Sequence, residues 1–385
     1  MTLIGDHTDY ARGWVLPFAV PLFTTVRVST TSVATLRVVS NAHSEVHEVA
    51  LESLTPGRSG WARYVEGAVW LLARETAHDT ARVERAQAEG LLVEVGSDLP
   101  VGAGLASSTA LVCATLAGLL DVLDPPVRRR WSATDIALAA RRVENEYVGA
   151  PVGVMDPIAV MSATAGHGLL LDTATMATEQ LVLPLADPGH GTRSDAVAAL
   201  VVDTGRPHQT GGAGYAERVA QVDEAARALG VASLRDVGDP AAVERLADPT
   251  LRSRARHVVT ENARVLAVAA LLREGRVGDL GPLLTASHRS LRDDFAVSTP
   301  ELDLVVEQSL AAGALGARLT GAGMGGCALA LVPADAALGV RSRVLRALGE
   351  RGAAGGRAWF VTAAGAARPQ APGAASAQPT DSSHE

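Results

Sequence analysis

Residues 98–109 read Asp-Leu-Pro-Val-Gly-Ala-Gly-Leu-Ala-Ser-Ser-Thr and run straight into an apolar segment. Gly102 and Gly104 let backbone approach a ligand closely, and Ser107 and Ser108 add hydroxyl donors. A helix starting there brings free amides and roughly half a positive charge to the same spot. Together these make a phosphate site that needs no lysine. An ordinary loop with a serine cap is the alternative, but one hydroxyl residue would satisfy it and three stand in a row. A dinucleotide fingerprint is not met, because a serine stands where its third glycine belongs. A second cluster, Thr320-Gly321-Ala-Gly323-Met-Gly325-Gly326, lies between two short apolar runs. Alone it reads as a glycine hairpin; beside the first loop it would bring backbone to the same ligand.

Carboxylates gather in two further places. Gly5-Asp6-His7-Thr8-Asp9-Tyr10 packs two acids and an imidazole into four residues. Such groups accept and donate in fixed directions and suit hydroxyl-rich ligands; a polar turn is the competing reading. Glu144-Asn-Glu-Tyr-Val-Gly-Ala-Pro-Val-Gly153-Val-Met-Asp156-Pro157 holds the other pair. Glu144 is either a solvated helix charge or a hard oxygen ligand for Mg²⁺. Asp156 is either an N-cap ahead of Pro157 or a carboxylate that orients or deprotonates an attacking hydroxyl. Residues alone leave both choices open. His208 and Tyr215 read as packing or turn residues, and 288–294 as a charged helix end.

These residues need elements to hold them. Short apolar runs predict strands at 15–17, 24–29, 35–40, 91–95, 169–171 and 181–183, with helices over 61–90, after 108, and from Ser132 or Thr134 to Tyr147. Leu111, Thr115 and Leu119 with Val112, Leu116 and Leu120 mark the middle helix as largely buried. Residues 184–194 read as a linker. Beyond it come strands at 198–202, 317–320, 328–332 and 358–363, and helices at 215–229, 252–273, 300–312 and 340–351. From 364 onward Ala, Pro, Gly, Ser and Gln predict a disordered tail. The expected class is α+β, with domains at 1–184 and 195–363.

Composition narrows the chemistry. Among the 385 residues there is no lysine, so all 34 basic residues are arginine. A Walker-type loop, a protein-kinase site and a Schiff-base enzyme each need a lysine, and none can operate here. The net charge of −8 argues against nucleic acid or an anionic membrane as partner. Two cysteines in apolar runs form no disulfide framework, which fits a reducing compartment. No signal peptide or membrane-spanning run is seen, so a cytoplasmic protein is expected.

In order along nearly the whole chain, these clusters resemble the galactokinases of the GHMP small-molecule kinase superfamily. Leu3-Ile-Gly-Asp-His-Thr-Asp-Tyr10 is similar to their signature, with Asp6 where Glu is usual. Residues 98–109 resemble their phosphate loop, 287–294 with Pro300-Glu-Leu-Asp303 a further galactokinase stretch, and 320–326 the third superfamily motif. The resemblance implies a ribosomal protein S5-like N-terminal domain and a ferredoxin-like C-terminal domain with the site between them. It implies ATP and Mg²⁺, galactose as substrate, and a monomer. It places sugar contacts on Asp6, His7, Asp9, Gly153 and Tyr215, and the catalytic carboxylate on Asp156. Metal falls on Ser108 and Glu144. Phosphate and nucleotide fall on Gly102, Gly104, Leu105, Ala106, Ser107, Ser108, Gly321 and Gly323.

There are departures. Pro157 replaces a usual Gln and Ala106 a usual Ser. Family members carry Ala-Pro-Gly-Arg-Val-Asn before the signature; here Met1 and Thr2 stand at the Val and Asn. The expectation is a coding sequence that starts upstream and supplies the arginine. The reaction implied is transfer of phosphate from ATP to the anomeric hydroxyl of galactose. The alternatives are a silent sugar and ATP sensor, or a kinase for a related sugar.

Overall fold

The computed structural model of the chain describes residues 1–75, 90–100, 104–123, 130–188, 196–206, 213–353 and 355–369. The first half contains strands β1 (Thr2–Ile4), β2 (Trp14–Pro17), β3 (Thr24–Thr31), β4 (Thr35–Ser40), β5 (His43–Ala50), β6 (Gly90–Ser97), β7 (His167–Asp172) and β8 (Thr178–Val182). Its helices are α1 (Arg63–Glu75), α2 (Ser107–Leu123), α3 (Ala133–Arg142) and α4 (Met155–Ser162). The second half contains β9 (Leu185–Ala186), β10 (Val197–Asp203), β11 (Gly316–Leu319), β12 (Cys327–Pro333) and β13 (Arg357–Val361). Its helices are α5 (Ala213–Leu229), α6 (Pro249–Arg273), α7 (Gly281–Asp293), α8 (Pro300–Ala311) and α9 (Ala337–Glu350).

The strands form three sheets, ordered β1-β2-β7-β8, β3-β6-β4-β5 and β11-β12-β10-β13, with β9 beside β10. The second sheet is mixed: β4 runs parallel to β6 while the outer pairs are antiparallel. Alternation explains the third sheet. Ala198, Leu200 and Val202 of β10 face a core shared with α5, α6, α8 and α9. Val197, Ala199 and Val201 face a different core, which also contains Leu3, Ile4, Leu16 and Val265. Successive strand side chains point to opposite faces, so this sheet is apolar on both. The second of those cores joins the halves, and α6 lies along it.

Local chemistry sets the helix starts. Ser132 and Asp135 form a capping box at α3. Asp248 caps α6 with Pro249 in its first turn, and Thr299 caps α8 with Pro300 likewise. Three expectations need correction. The linker begins inside structure, since Leu185 and Ala186 pair with β10; residues 189–195 lie outside those described. The tail begins in contact: Ala364 bonds Ala19, Ala366 bonds Ala163 and Ala367 bonds Val160, while 370–385 lie outside. The predicted helix to Tyr147 stops being α-helical at Arg142 and continues as a π-helical turn, Val143–Val148. No helix among the described residues is long and apolar enough to cross a membrane.

Candidate active site

Gly104 (φ +75°) and Ala106 (φ +55°) both take left-handed backbone, and the chain then enters α2 at Ser107. Leu105 is buried in the core that joins the halves, which ties the loop down. The first amides of α2 have no partner within the helix and are available to an anion. Gly102 and His208 lie outside the described residues. Thr109 turns inward and donates to Glu144 Oε1 at 2.7 Å. The Ser108 hydroxyl bonds the same carboxylate. Burial pushes Glu144 up to about 7, against the stabilising hydroxyls.

Asp156 stands one residue inside α4, whose N-cap is Val154. That removes the N-cap explanation of Asp156 and puts its carboxylate in the first turn. Burial raises its pKa. Asp9 is near: its Oδ2 accepts the Met155 N–H at 3.5 Å, and burial and the Asp156 charge together lift Asp9 to about 6. Gly153 makes this approach possible, because a Cβ there would sit 1.5 Å from Asp9 Oδ2. Glu144 also feels Asp156. Asp156 therefore lies within electrostatic reach of Asp9 on one side and of Glu144, held at the start of α2 by Thr109, on the other.

The signature loop follows β1. His7 has φ +66° and is buried. Its Nε2 faces the Ala322 carbonyl at 3.2 Å and so donates, which leaves Nδ1 to accept from the Tyr10 hydroxyl at 3.0 Å. Burial drops His7 to about 3, so the ring is neutral. Tyr215 closes over it, with ring centroids 5.6 Å from His7 and 5.5 Å from Tyr10. Asp6 is engaged by the protein itself. Arg318 Nη2 donates to Oδ2 at 2.5 Å and Gly321 N to Oδ1 at 3.2 Å.

The third motif meets the first. At Gly321 (φ +80°) an added Cβ would lie 3.0 Å from the Gly104 carbonyl oxygen, and at Gly323 2.3 Å from the Val297 carbonyl oxygen. A side chain at Gly321 would push the two glycine loops apart, and one at Gly323 would collide with the chain at Val297.

Sequence reasoning missed the residues that hold the signature loop from behind. On α6, His257 Nε2 meets the Asp6 carbonyl at 3.1 Å, Glu261 Oε1 accepts Gly5 N–H at 3.1 Å, and Asn262 Oδ1 accepts Trp14 N–H at 2.9 Å. Burial alone would raise Glu261, but Arg264, His257 and Arg318 outweigh it and hold it at about 2. Arg318 was missed as well. The available signal was the i, i+4 spacing of 257 and 261, which places two polar groups on one face of a helix, with Asn262 beside them.

Glu144 and Ser108 are hard oxygen groups of the kind a divalent cation takes. Among the described residues no group of three or more His, Cys, Asp or Glu could hold a metal by itself. One carboxylate with one hydroxyl fits the way Mg²⁺ is held, with waters and substrate phosphates completing its shell.

The chain also matches known proteins. Three family models fit the chain: GHMP kinases N terminal domain at 63–164, GHMP kinases C terminal at 268–351, and Galactokinase galactose-binding signature at 1–30. The fold is that of a GHMP kinase. A galactokinase of Mycobacterium bovis is 40% identical over 353 residues, covering 90% of this chain and 91% of that protein. A galactokinase of Streptomyces coelicolor is 42% identical over 340 residues, covering 87% and 83%. The crystal structure of Lactococcus lactis galactokinase complexed with galactose superposes with a TM-score of 0.84 at 27% identity, covering 95% of this chain and 92% of that one. The chain belongs to the galactokinase family.

Proposed function

We propose that this protein transfers the γ-phosphoryl group of ATP to the anomeric hydroxyl of galactose, giving galactose 1-phosphate and ADP. The observation that carries the reading is the placing of Asp156 between two other buried acids, Asp9 at the signature loop and Glu144 at the N-terminus of α2. One acid is needed for the sugar, one for the cation and one for the proton.

Phosphoryl transfer asks the protein mainly for positioning and charge stabilisation. The signature loop, with neutral His7 and with Asp9, presents polar groups to the sugar beneath Tyr215. Asp9 orients a hydroxyl and Asp156 takes the proton of the attacking one. The new bond joins that oxygen to the γ-phosphorus as the β–γ anhydride bond breaks and ADP leaves. Amides at Ser107 and Ser108 and backbone at Gly104, Gly321 and Gly323 lie along the phosphates. Ser108 and Glu144 would hold Mg²⁺, which when bound neutralises phosphate charge. Asp6 acts on the sugar from behind the loop, with its oxygens shared with Arg318 and Gly321.

The test is product analysis. Galactose and Mg·ATP should give one ADP per sugar 1-phosphate by ³¹P NMR, with glucose, arabinose and N-acetylgalactosamine turned over far more slowly. ADP release that does not depend on galactose, or sugar binding without turnover, would reject the reading.

A further inference from the structure

The segment that presents Glu144 is the π-helical turn 143–148, and its two ends are held on different sides. Toward α2, Glu144 receives the Thr109 hydroxyl at 2.7 Å. Toward α1, Tyr147 is buried and its hydroxyl donates to Glu66 Oε2 at 2.7 Å. Glu66 is fully buried, with Arg58 Nε 3.0 Å from Oε2 and His47 Nε2 2.6 Å from Oε1. The fit against α1 is close. At Gly67 a Cβ would stand 2.7 Å from Val143 Cγ1 and 3.0 Å from Tyr147 Cδ1. The Trp70 and Tyr147 rings lie 5.5 Å apart.

A π turn holds one residue more than an α turn, is rare, and persists where surrounding contacts enforce it. Relaxing it to α-helix would shift the register by one residue, about 100° around the axis. The turn closes on Glu144 itself, whose carbonyl accepts N–H groups from Gly149 and Ala150. From there the chain runs through Gly153 to Asp156. The register therefore sets where the Glu144 carboxylate stands relative to Ser108 and Asp156. An apolar pair would hold α1 against this turn at similar stability. A directional O–H···O bond adds a single register.

We propose that the Tyr147–Glu66 hydrogen bond, backed by Arg58 and His47, is a positioning device that fixes the π turn and so aims Glu144 at the divalent cation. The inference rests on the reading of Glu144 as a cation ligand. Tyr147 and Glu66 touch no substrate and act through Glu144.

The test measures the dissociation constant of Mn²⁺ with ADP bound, by electron paramagnetic resonance, alongside the Mg²⁺ dependence of turnover. Tyr147→Phe removes only the hydroxyl. It should weaken Mn²⁺ binding about tenfold, as loss of groups that orient metal ligands does. Galactose KM should stay within about twofold, and saturating Mg²⁺ should restore kcat. The pair Tyr147→Phe with Glu66→Leu rebuilds an apolar contact; it should unfold at the wild-type urea midpoint or above, yet bind Mn²⁺ as weakly as Tyr147→Phe alone. Unchanged Mn²⁺ binding in Tyr147→Phe, or its recovery together with stability in the double variant, would overturn the proposal. Glu144→Gln separates the two levels. If it leaves Mn²⁺ binding intact, the cation reading fails and the proposal with it. If it weakens binding while Tyr147→Phe does not, only the positioning role fails.

Discussion

Asp6 and Arg318 form an ion pair with side-chain exposures of 2% and 0% and a separation of 2.5 Å, across 312 residues of sequence. Arg318 also donates to the Leu3 carbonyl at 2.9 Å. The pair joins the signature loop after β1 to the end of β11, from which the Thr320–Gly326 loop springs. Burial holds Asp6 at about 6 in spite of Arg318. The shorter acid in place of the family's usual Glu is thus matched by a partner that reaches it.

Asp6→Asn leaves the guanidinium buried and unpaired, which costs about 3–5 kcal/mol. The expected outcome is a lower urea midpoint. KM should rise for both galactose and ATP, since one carboxylate holds both loops. A defect confined to galactose, with stability intact, would mean that Asp6 serves the sugar alone.

Asp9 has its pKa raised as Asp6 does, but faces the Asp156 carboxylate where Asp6 faces Arg318. Its buried charge lies close to Asp156, and the pKa near 6 makes the ionised form unfavourable in the folded state. Asp9→Asn should stabilise the fold by on the order of 2 kcal/mol above pH 6. The sign follows from linkage. With its folded pKa raised above the unfolded value, Asp9 costs stability progressively as pH rises from about 4 to about 6. The gain in the variant should vanish at pH 4. Urea unfolding at pH 4 and pH 7.5 checks both arms, and galactose turnover should fall at least 100-fold in the same variant.

Gly153→Ala tests the close approach around Asp9. The added methyl would occupy the position of Asp9 Oδ2, so the carboxylate must swing away. The expectation is at least a tenfold loss in kcat/KM for galactose, with a circular dichroism spectrum like that of the wild type.

The cation should be pH-sensitive in a defined window. Glu144 titrates at about 7 because it is buried. A metal must displace that proton, so Mn²⁺ affinity should fall about tenfold per pH unit below 7 and level off above it. Glu144→Gln should be weak and flat across pH 5.5 to 8.5.

Much of the site was legible because its polar motifs are short and local. Asp6 to Tyr10, Ser107 to Thr109 and Gly321 to Gly326 announce themselves by composition. The strand β10 likewise comes straight from its short apolar run. The supports were not legible. Arg318 resembles any strand arginine until Asp6 folds onto it. His257, Glu261 and Asn262 look like the wet face of a helix, yet they face the signature loop. Asp156 before Pro157 spells an N-cap, but the cap falls two residues earlier, at Val154. The π turn at 143–148 has no signature in sequence, since its extra residue is stabilised by α1 and not by its own side-chain pattern.

The most direct measurement is phosphate transfer to galactose by wild type and Asp156→Asn, followed by ³¹P NMR at saturating Mg·ATP. The wild type should form galactose 1-phosphate, and the variant should bind galactose with similar affinity while turning it over about 100- to 10,000-fold more slowly. Full turnover in Asp156→Asn would contradict the assignment of the catalytic carboxylate.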